Sequence, residues 1–241
     1  MNIIKTGLTS FQLKIIALIS MTIDHIGAYS LLTQSPDINI YMRITGRIAA
    51  PVFLFLLVEG IRHTRDRRKY ILRLYAAAVI TELIRGFFEI RMGNIFQTFF
   101  YAALYITCLD IIFKRQKHSL LASVFIALPM FLQFLPNHLI LRAFFPPPLT
   151  VEFTFVFILL AVAWYFINNK IINCAVLAGL SVIVRFFPTP LSVSVQWLMI
   201  LAVTFLLFYN GKKGRSGLKY LFYVYYPAHS ILFFLLSNLL N

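Results

Sequence analysis

Nine apolar stretches of near-uniform length, joined by short polar or basic connections, constrain this chain more than any other feature. A bilayer's hydrocarbon core of roughly 30 Å takes about 20 helical residues at about 1.5 Å each. The stretches run approximately over 11–30, 43–62, 71–89, 95–113, 119–136, 150–168, 171–187, 191–209 and 219–239. They predict an all-α, polytopic transmembrane helix bundle of about nine spans, with 1–241 as a single transmembrane domain. With 60% hydrophobic and only 12% charged residues, and a mean hydropathy of +0.83, the chain cannot hide its apolar surface in one soluble core. Within 119–149, "LPNHLILRAFFPPPLT" reads as a loop, an interfacial helix or a re-entrant piece, because Pro146, Pro147 and Pro148 forbid an ordinary helix interior.

The formal charge of +14 would suit a nucleic-acid binder, but a basic stripe needs a soluble domain to carry it, and the short loops leave room for none. The positive charge marks topology instead. With the N-terminus inside, 15 of the 22 Lys and Arg fall on inner segments, chiefly Arg62, Arg65, Arg67, Arg68 and Lys69, then Lys114, Arg115 and Lys117, then Lys212, Lys213, Arg215 and Lys219. The expected arrangement is N-terminus inside and C-terminus outside, multi-pass, in a bacterial cytoplasmic (inner) membrane. The first span carries Asp24 and His25 and lacks a small-residue cleavage site, so it does not read as a cleaved signal. Cys108 and Cys174 are lone thiols inside expected spans, with no metal spacing around them.

The charges inside the spans are few enough to audit. Lys14, Glu89, Glu152 and Arg185 fall in terminal turns and can snorkel to the headgroups. Asp24, Arg43, Arg47, Glu59, Arg73, Glu82, Arg85 and Asp110 remain, four of each sign. A central charge costs about 2.5–3.5 kcal/mol on insertion scales, so each is normally paired or functional. Glu82 and Arg85, three apart, can pair along one face, and Arg73 and Asp110 can reach the inner surface. Arg43 and Arg47 share a face and repel. Asp24, from the antiparallel neighbour, answers one of them, and the other asks for a phosphate- or carboxylate-bearing ligand, unless both reach the outer headgroups. His25 is either a packed histidine or a base that takes a proton from a nucleophile. Asp24 cannot orient it, since adjacent helical residues point about 100° apart, so an orienting carboxylate would come from another helix. Pro227 should kink the last span near His229.

The stretches "LTSFQLKIIALISMTIDHIGAY", "RITGRIAAPVFLFLLVEGIRHTRDRRKYILRL", "TEL…GNIFQTF" and "GLKYLFYVYYPAHSIL" together resemble the TraX family of integral membrane proteins. The resemblance covers roughly 8–112 and 207–233; the middle, 113–206, is similar only in being apolar. It implies N-terminal acetylation of pilin subunits and kinship with multispan membrane acyltransferases that use cytoplasmic acetyl-CoA. By that resemblance His25, Asp24 and Glu82 are the catalytic candidates, and Arg43, Arg47, Glu59, Arg62, Arg68, Asn94 and His229 the acetyl-CoA-binding ones. The expected function is therefore a membrane-embedded acyltransferase moving an acetyl group from acetyl-CoA to an amine or hydroxyl of a peptide or glycan acceptor. The expected partners are the lipid bilayer, the acyl-CoA donor and that acceptor, with no nucleic acid and no metal; a homodimer is left open. The alternatives are a small proton-coupled transporter, for which no internal repeat is visible, and a non-catalytic component of a conjugation or secretion machine.

Overall fold

The structure is a computed structural model that describes residues 7–90, 93–132, 134, 143–149, 151–189, 191, 195–215 and 221–240. The expectation for 135–142 lies outside these residues, as do Lys5, Arg91, Arg142 and Lys219. The described chain is all-helical: α1 Ser10–Ala28, α2 Pro36–Gly46, α3 Ala49–His63, α4 Arg67–Phe87, α5 Ile95–Phe113, α6 Ser119–Leu132, α7 Thr154–Ile167, α8 Lys170–Phe186, a 3-10 turn at Gln196–Leu201 leading into α9 Ala202–Leu207, and α10 Leu221–Leu240. Among the described residues three helices are long and apolar enough to cross a membrane: Ser10–Ala28, Pro36–His63 taken through its break, and Ile95–Phe113. Ser119–Leu132, Thr154–Ile167 and Gln196–Leu207 are apolar but shorter. Large apolar side chains such as Leu120, Phe131, Ile171, Phe186 and Leu239 point outward, a surface suited to hydrocarbon rather than water.

The chain forms two compact units, Met1–Leu56 with Asn168–Asn241, and Leu57–Ile167. In the first, α1 starts at a capping box. Thr9 accepts from the Gln12 amide, while the Gln12 side chain accepts from the Thr9 amide at 2.9 Å, which satisfies two donors that the first turn would leave open. Just before the cap, Leu8 donates to the Phe208 carbonyl at 2.8 Å and accepts from the Asn210 amide at 2.9 Å. The start of α1 is thereby tied to the chain that follows α9.

The second expected span is not one helix. Pro51 lies in the first turn of α3 and has no N–H for the carbonyl four residues back, that of Arg47, while its ring crowds that carbonyl. The helix resolves the conflict by ending α2 at Gly46 and restarting at Ala49. The break falls on Arg47, whose Nε still donates to the Arg43 carbonyl four residues back at 3.0 Å.

In the second unit α5 is the central helix and packs on α4, α6 and α7. Most of its surface is buried, and Ala102 and Ala103 let the neighbouring backbones come close. Tyr101, Tyr105, Val151 and Ile158 form a core cluster there, and the Tyr101 hydroxyl donates to the Pro146 carbonyl at 2.5 Å. That bond ties the start of the proline run to α5.

Candidate functional site

In the first unit, α1 and α2 run antiparallel and very close. A Cβ on Gly27 would meet the Met42 Cβ at 2.7 Å and the Asn39 carbonyl oxygen at 2.9 Å, and one on Gly46 would overlap the Asp24 side chain. Both glycines are needed because a backbone or a carboxylate occupies the space where a side chain would start. The approach lowers Asp24 onto the α2–α3 break. Arg43 Nη1 donates to Asp24 Oδ2 at 2.6 Å, and Arg47 Nη2 donates to Asp24 Oδ1. Arg47 also donates through Nε to the Arg43 carbonyl at 3.0 Å and through Nη1 to Gln196 Oε1 at 2.7 Å. The side chains of Arg47 and Asp24 are each 9% exposed, against 30% for Arg43. One carboxylate thus lies between two guanidiniums in a largely dry site, where charges interact strongly.

His25, the next residue of α1, turns away from this cluster toward α10. Its Nδ1 lies 2.6 Å from His229 Nε2, and His229 Nδ1 lies 2.7 Å from the Tyr225 carbonyl of its own helix. The two imidazoles are nearly parallel, 12° apart. Tyr225 stacks on His229 at 4.9 Å between centroids, and Tyr226 and Phe233 pack T-shaped against it. One turn earlier, Thr22 Oγ1 and the Tyr225 hydroxyl are 2.7 Å apart. Thr22 gives its only proton to the Leu18 carbonyl, so Tyr225 donates to Thr22. Residues 22 and 25 meet 225 and 229 in the same order, so α1 and α10 are parallel. A histidine, rather than a carboxylate, is the group that orients His25.

Glu82 and Asn94 belong to the second unit. Glu82 Oε2 accepts from Arg85 at 2.6 Å, from Asn94 Nδ2 at 3.1 Å and from Gln97 Nε2 at 3.1 Å. Asn94, beside α5's start, also donates to the Ala78 carbonyl at 2.9 Å, so it joins α4 to α5. Its Oδ1, with Thr81 Oγ1, is buried without a hydrogen-bond partner among the described residues.

Glu59, Arg62 and Arg68 lie toward the basic end of this unit. Arg62 donates to Glu59 at 2.5 Å and caps the end of α7 through the carbonyls of Trp164 and Tyr165. Arg67 joins Asp110 at 2.8 Å and the Tyr165 hydroxyl at 2.7 Å, and Lys114 adds a second cation to Asp110 at 3.0 Å. Arg65, Arg68, Lys69, Arg115 and Lys117 are exposed. Among the described residues no group of three or more His, Cys, Asp or Glu could hold a metal ion.

The expected site residues divide between the two units: Asp24, His25, Arg43, Arg47 and His229 in one, and Glu82 with Asn94 and Glu59 with Arg62 in the other. Reasoning from the sequence missed Gln196, Gln97 and the partnership of His25 with His229. The first two carried a signal, an amide inside an apolar run, that an audit confined to charges passes over.

The sequence profile described as "TraX protein" matches residues 10–237. The chain belongs to the TraX family. A relative from Dichelobacter nodosus, described as "Probable fimbrial assembly protein FimC, serogroup H1", is 28% identical over 243 residues, spanning 92% of each chain. An uncharacterized protein of Rickettsia prowazekii (strain Madrid E) is 53% identical over 55 residues, 22% of this chain and 20% of its own. No solved structure matches. The TraX profile takes in both clusters of the first unit's site and the Glu82 cluster of the second.

Proposed function

We propose that this TraX chain is a membrane-embedded acyltransferase, spanning the bacterial inner membrane about nine times with its N-terminus inside, that moves an acetyl group from cytoplasmic acetyl-CoA to an amine or hydroxyl of a membrane-associated or exported acceptor. The observation that carries the reading is a buried histidine, His25, held at Nδ1 by a second histidine and flanked by two guanidiniums that share one carboxylate. His25 Nε2 makes no hydrogen bond among the described residues, which leaves it to take a proton from the attacking group. As the nucleophile adds to the thioester carbonyl, negative charge grows on its oxygen, and the Arg43–Asp24–Arg47 cluster is a preorganised source of compensating charge that needs little solvent rearrangement. The exposed cations Arg65, Arg68, Lys69, Arg115 and Lys117 suit a polyanionic donor, since a patch of one sign raises the local concentration of the other.

The parallel course of α1 and α10 supports an odd number of crossings, in which first and last spans begin on the same side. The relative described by fimbrial assembly supports a pilin-like acceptor. The same description also favours a second reading, a non-catalytic membrane component of fimbrial assembly, to which the closed ion pairs would contribute rigidity.

The test is transfer of a traceable acetyl group from acetyl-CoA by the full chain in lipid discs, with a membrane acceptor fraction, beside folded His25→Ala and Arg47→Ala variants. Transfer by the parent chain that both substitutions abolish is the expected result. A protein that neither binds nor turns over acetyl-CoA with any acceptor overturns the proposal in favour of the second reading.

A further inference from the structure

The hydrogen bonds around His25 determine where its proton sits. The Tyr225 carbonyl can only accept, so His229 Nδ1, 2.7 Å away, carries a hydrogen. A neutral imidazole has one N–H, so His229 Nε2 is then a lone pair. Its neighbour at 2.6 Å, His25 Nδ1, must be the donor. His25 is left with its lone pair on Nε2. A backbone carbonyl on α10 thereby sets, through two rings, which nitrogen of a residue on α1 is basic.

The same chain of bonds can carry a proton away. We infer that His229 is a positioning residue that holds His25 in the Nδ1–H form and accepts that proton when the acceptor protonates His25 Nε2. This deepens the acyl-transfer reading and rests on it. The step balances: as the acceptor's N–H or O–H bond breaks and its atom bonds to the thioester carbonyl carbon, the proton goes to His25 Nε2 and the Nδ1 proton passes to His229 Nε2. His25 is neutral before and after, and His229 becomes the imidazolium. On collapse of the adduct the C–S bond breaks, the thiolate takes the proton from His25 Nε2, and His229 returns its own to His25 Nδ1.

The surroundings of the two rings favour this division. His25 adjoins the cluster in which Asp24 lies between Arg43 and Arg47, with Gln196 behind Arg47, so a cation on His25 would stand beside two guanidiniums. His229 stacks on Tyr225 within 14° of parallel, while Tyr226 packs T-shaped against both imidazoles and Phe233 T-shaped against His229. A ring face attracts a cation, and the Tyr225 hydroxyl's donation to Thr22 fixes that face in place. The charge moves from the arginine side of α1 to the aromatic side of α10.

The experiment uses full-length protein in lipid discs with 15N-labelled histidine, read by NMR, together with acetyl transfer from acetyl-CoA to an amine acceptor. The expected spectrum has His25 protonated at Nδ1 and bare at Nε2, with a 15N–15N coupling across the bond to His229. His229→Gln can still accept from His25 Nδ1 but cannot take the proton. It should keep the His25 tautomer and the KM for acetyl-CoA while kcat falls about 10²-fold, and a solvent-isotope proton inventory should change from two protons in flight to one. His229→Leu should lose the tautomer as well. Protonation of His25 at Nε2, or a His229→Gln protein with unchanged kcat and inventory, would overturn the inference. The expected tautomer without any acetyl transfer by the parent chain would instead sink the acyl-transfer reading and the relay's role in it, leaving the proton assignment intact.

Discussion

Replacing Asp24 by Asn keeps the shape of the side chain and removes the charge that answers two guanidiniums. Arg43 is 30% exposed and can turn toward the surface, so its loss of a partner costs little. Arg47 cannot, since its side chain is 9% exposed and fixed at the helix break. Breaking a buried pair by removing one partner costs about 3–5 kcal/mol. Arg47 keeps two neutral acceptors, Gln196 Oε1 and the Arg43 carbonyl, which places Asp24→Asn near about 3 kcal/mol. Arg43→Ala, which leaves Asp24 paired with Arg47, should cost about 1 kcal/mol. Joining Asp24→Asn to Arg47→Met removes the stranded charge and should recover about 1–3 kcal/mol relative to the sum of the two single changes. Reversible unfolding in mixed micelles, followed by helix content and tryptophan emission, gives all four values. Strict additivity of the double variant, or an Arg43→Ala protein less stable than Asp24→Asn, would refute the assignment of Arg47 as the dependent charge.

Gly27→Ala must push Met42 or the Asn39 carbonyl aside and should destabilise by about 1–3 kcal/mol, whereas Gly179→Ala on α8, with nothing within 4 Å of the added carbon, should be neutral or stabilising by up to about 1 kcal/mol; paired melts decide it. Thr9→Ala removes the capping box and should cost about 1 kcal/mol, with faster amide exchange in the first turn of α1. Asp66 caps α4 by accepting from the Lys69 amide at 3.0 Å, and that bond holds its carboxyl below the ordinary 3.8. A depressed folded-state pKa means the contribution is present above 3.8 and disappears as pH falls through the lower folded value. Amide exchange at the start of α4 should therefore accelerate at that acid end, and Asp66→Asn should flatten the dependence.

The parts of this architecture that were legible in the sequence are those governed by local periodicity and by adjacency along the chain. The stretch 95–113 coincides with α5, and 11–30 with α1 within two residues, because an uninterrupted apolar run has one way to satisfy its backbone in hydrocarbon. Asp24 with Arg43 and Arg47 followed from two antiparallel neighbours sharing a depth. The α2–α3 break was missed although its cause, Pro51, stands in plain view: a proline near an expected helix start reads as harmless, and only the polar residues from Pro36 onward, which are too hydrophilic for a span criterion, show that the helix had already begun. His25 with His229 was beyond reach for a different reason. Nothing in the connectivity makes the first and last helices neighbours, and 204 residues separate the pair.

That separation also sets an order of events. The ring that orients His25 is delivered by α10, the last described helix to leave the ribosome, and the hydrogen bonds of Leu8 wait for the strand-like stretch after α9. Until α10 is made, His25 lacks both the histidine that faces it and the aromatic rings around that histidine. A chain that stops between residues 47 and 229 carries every charge of the α1–α2 cluster and lacks the histidine that faces His25.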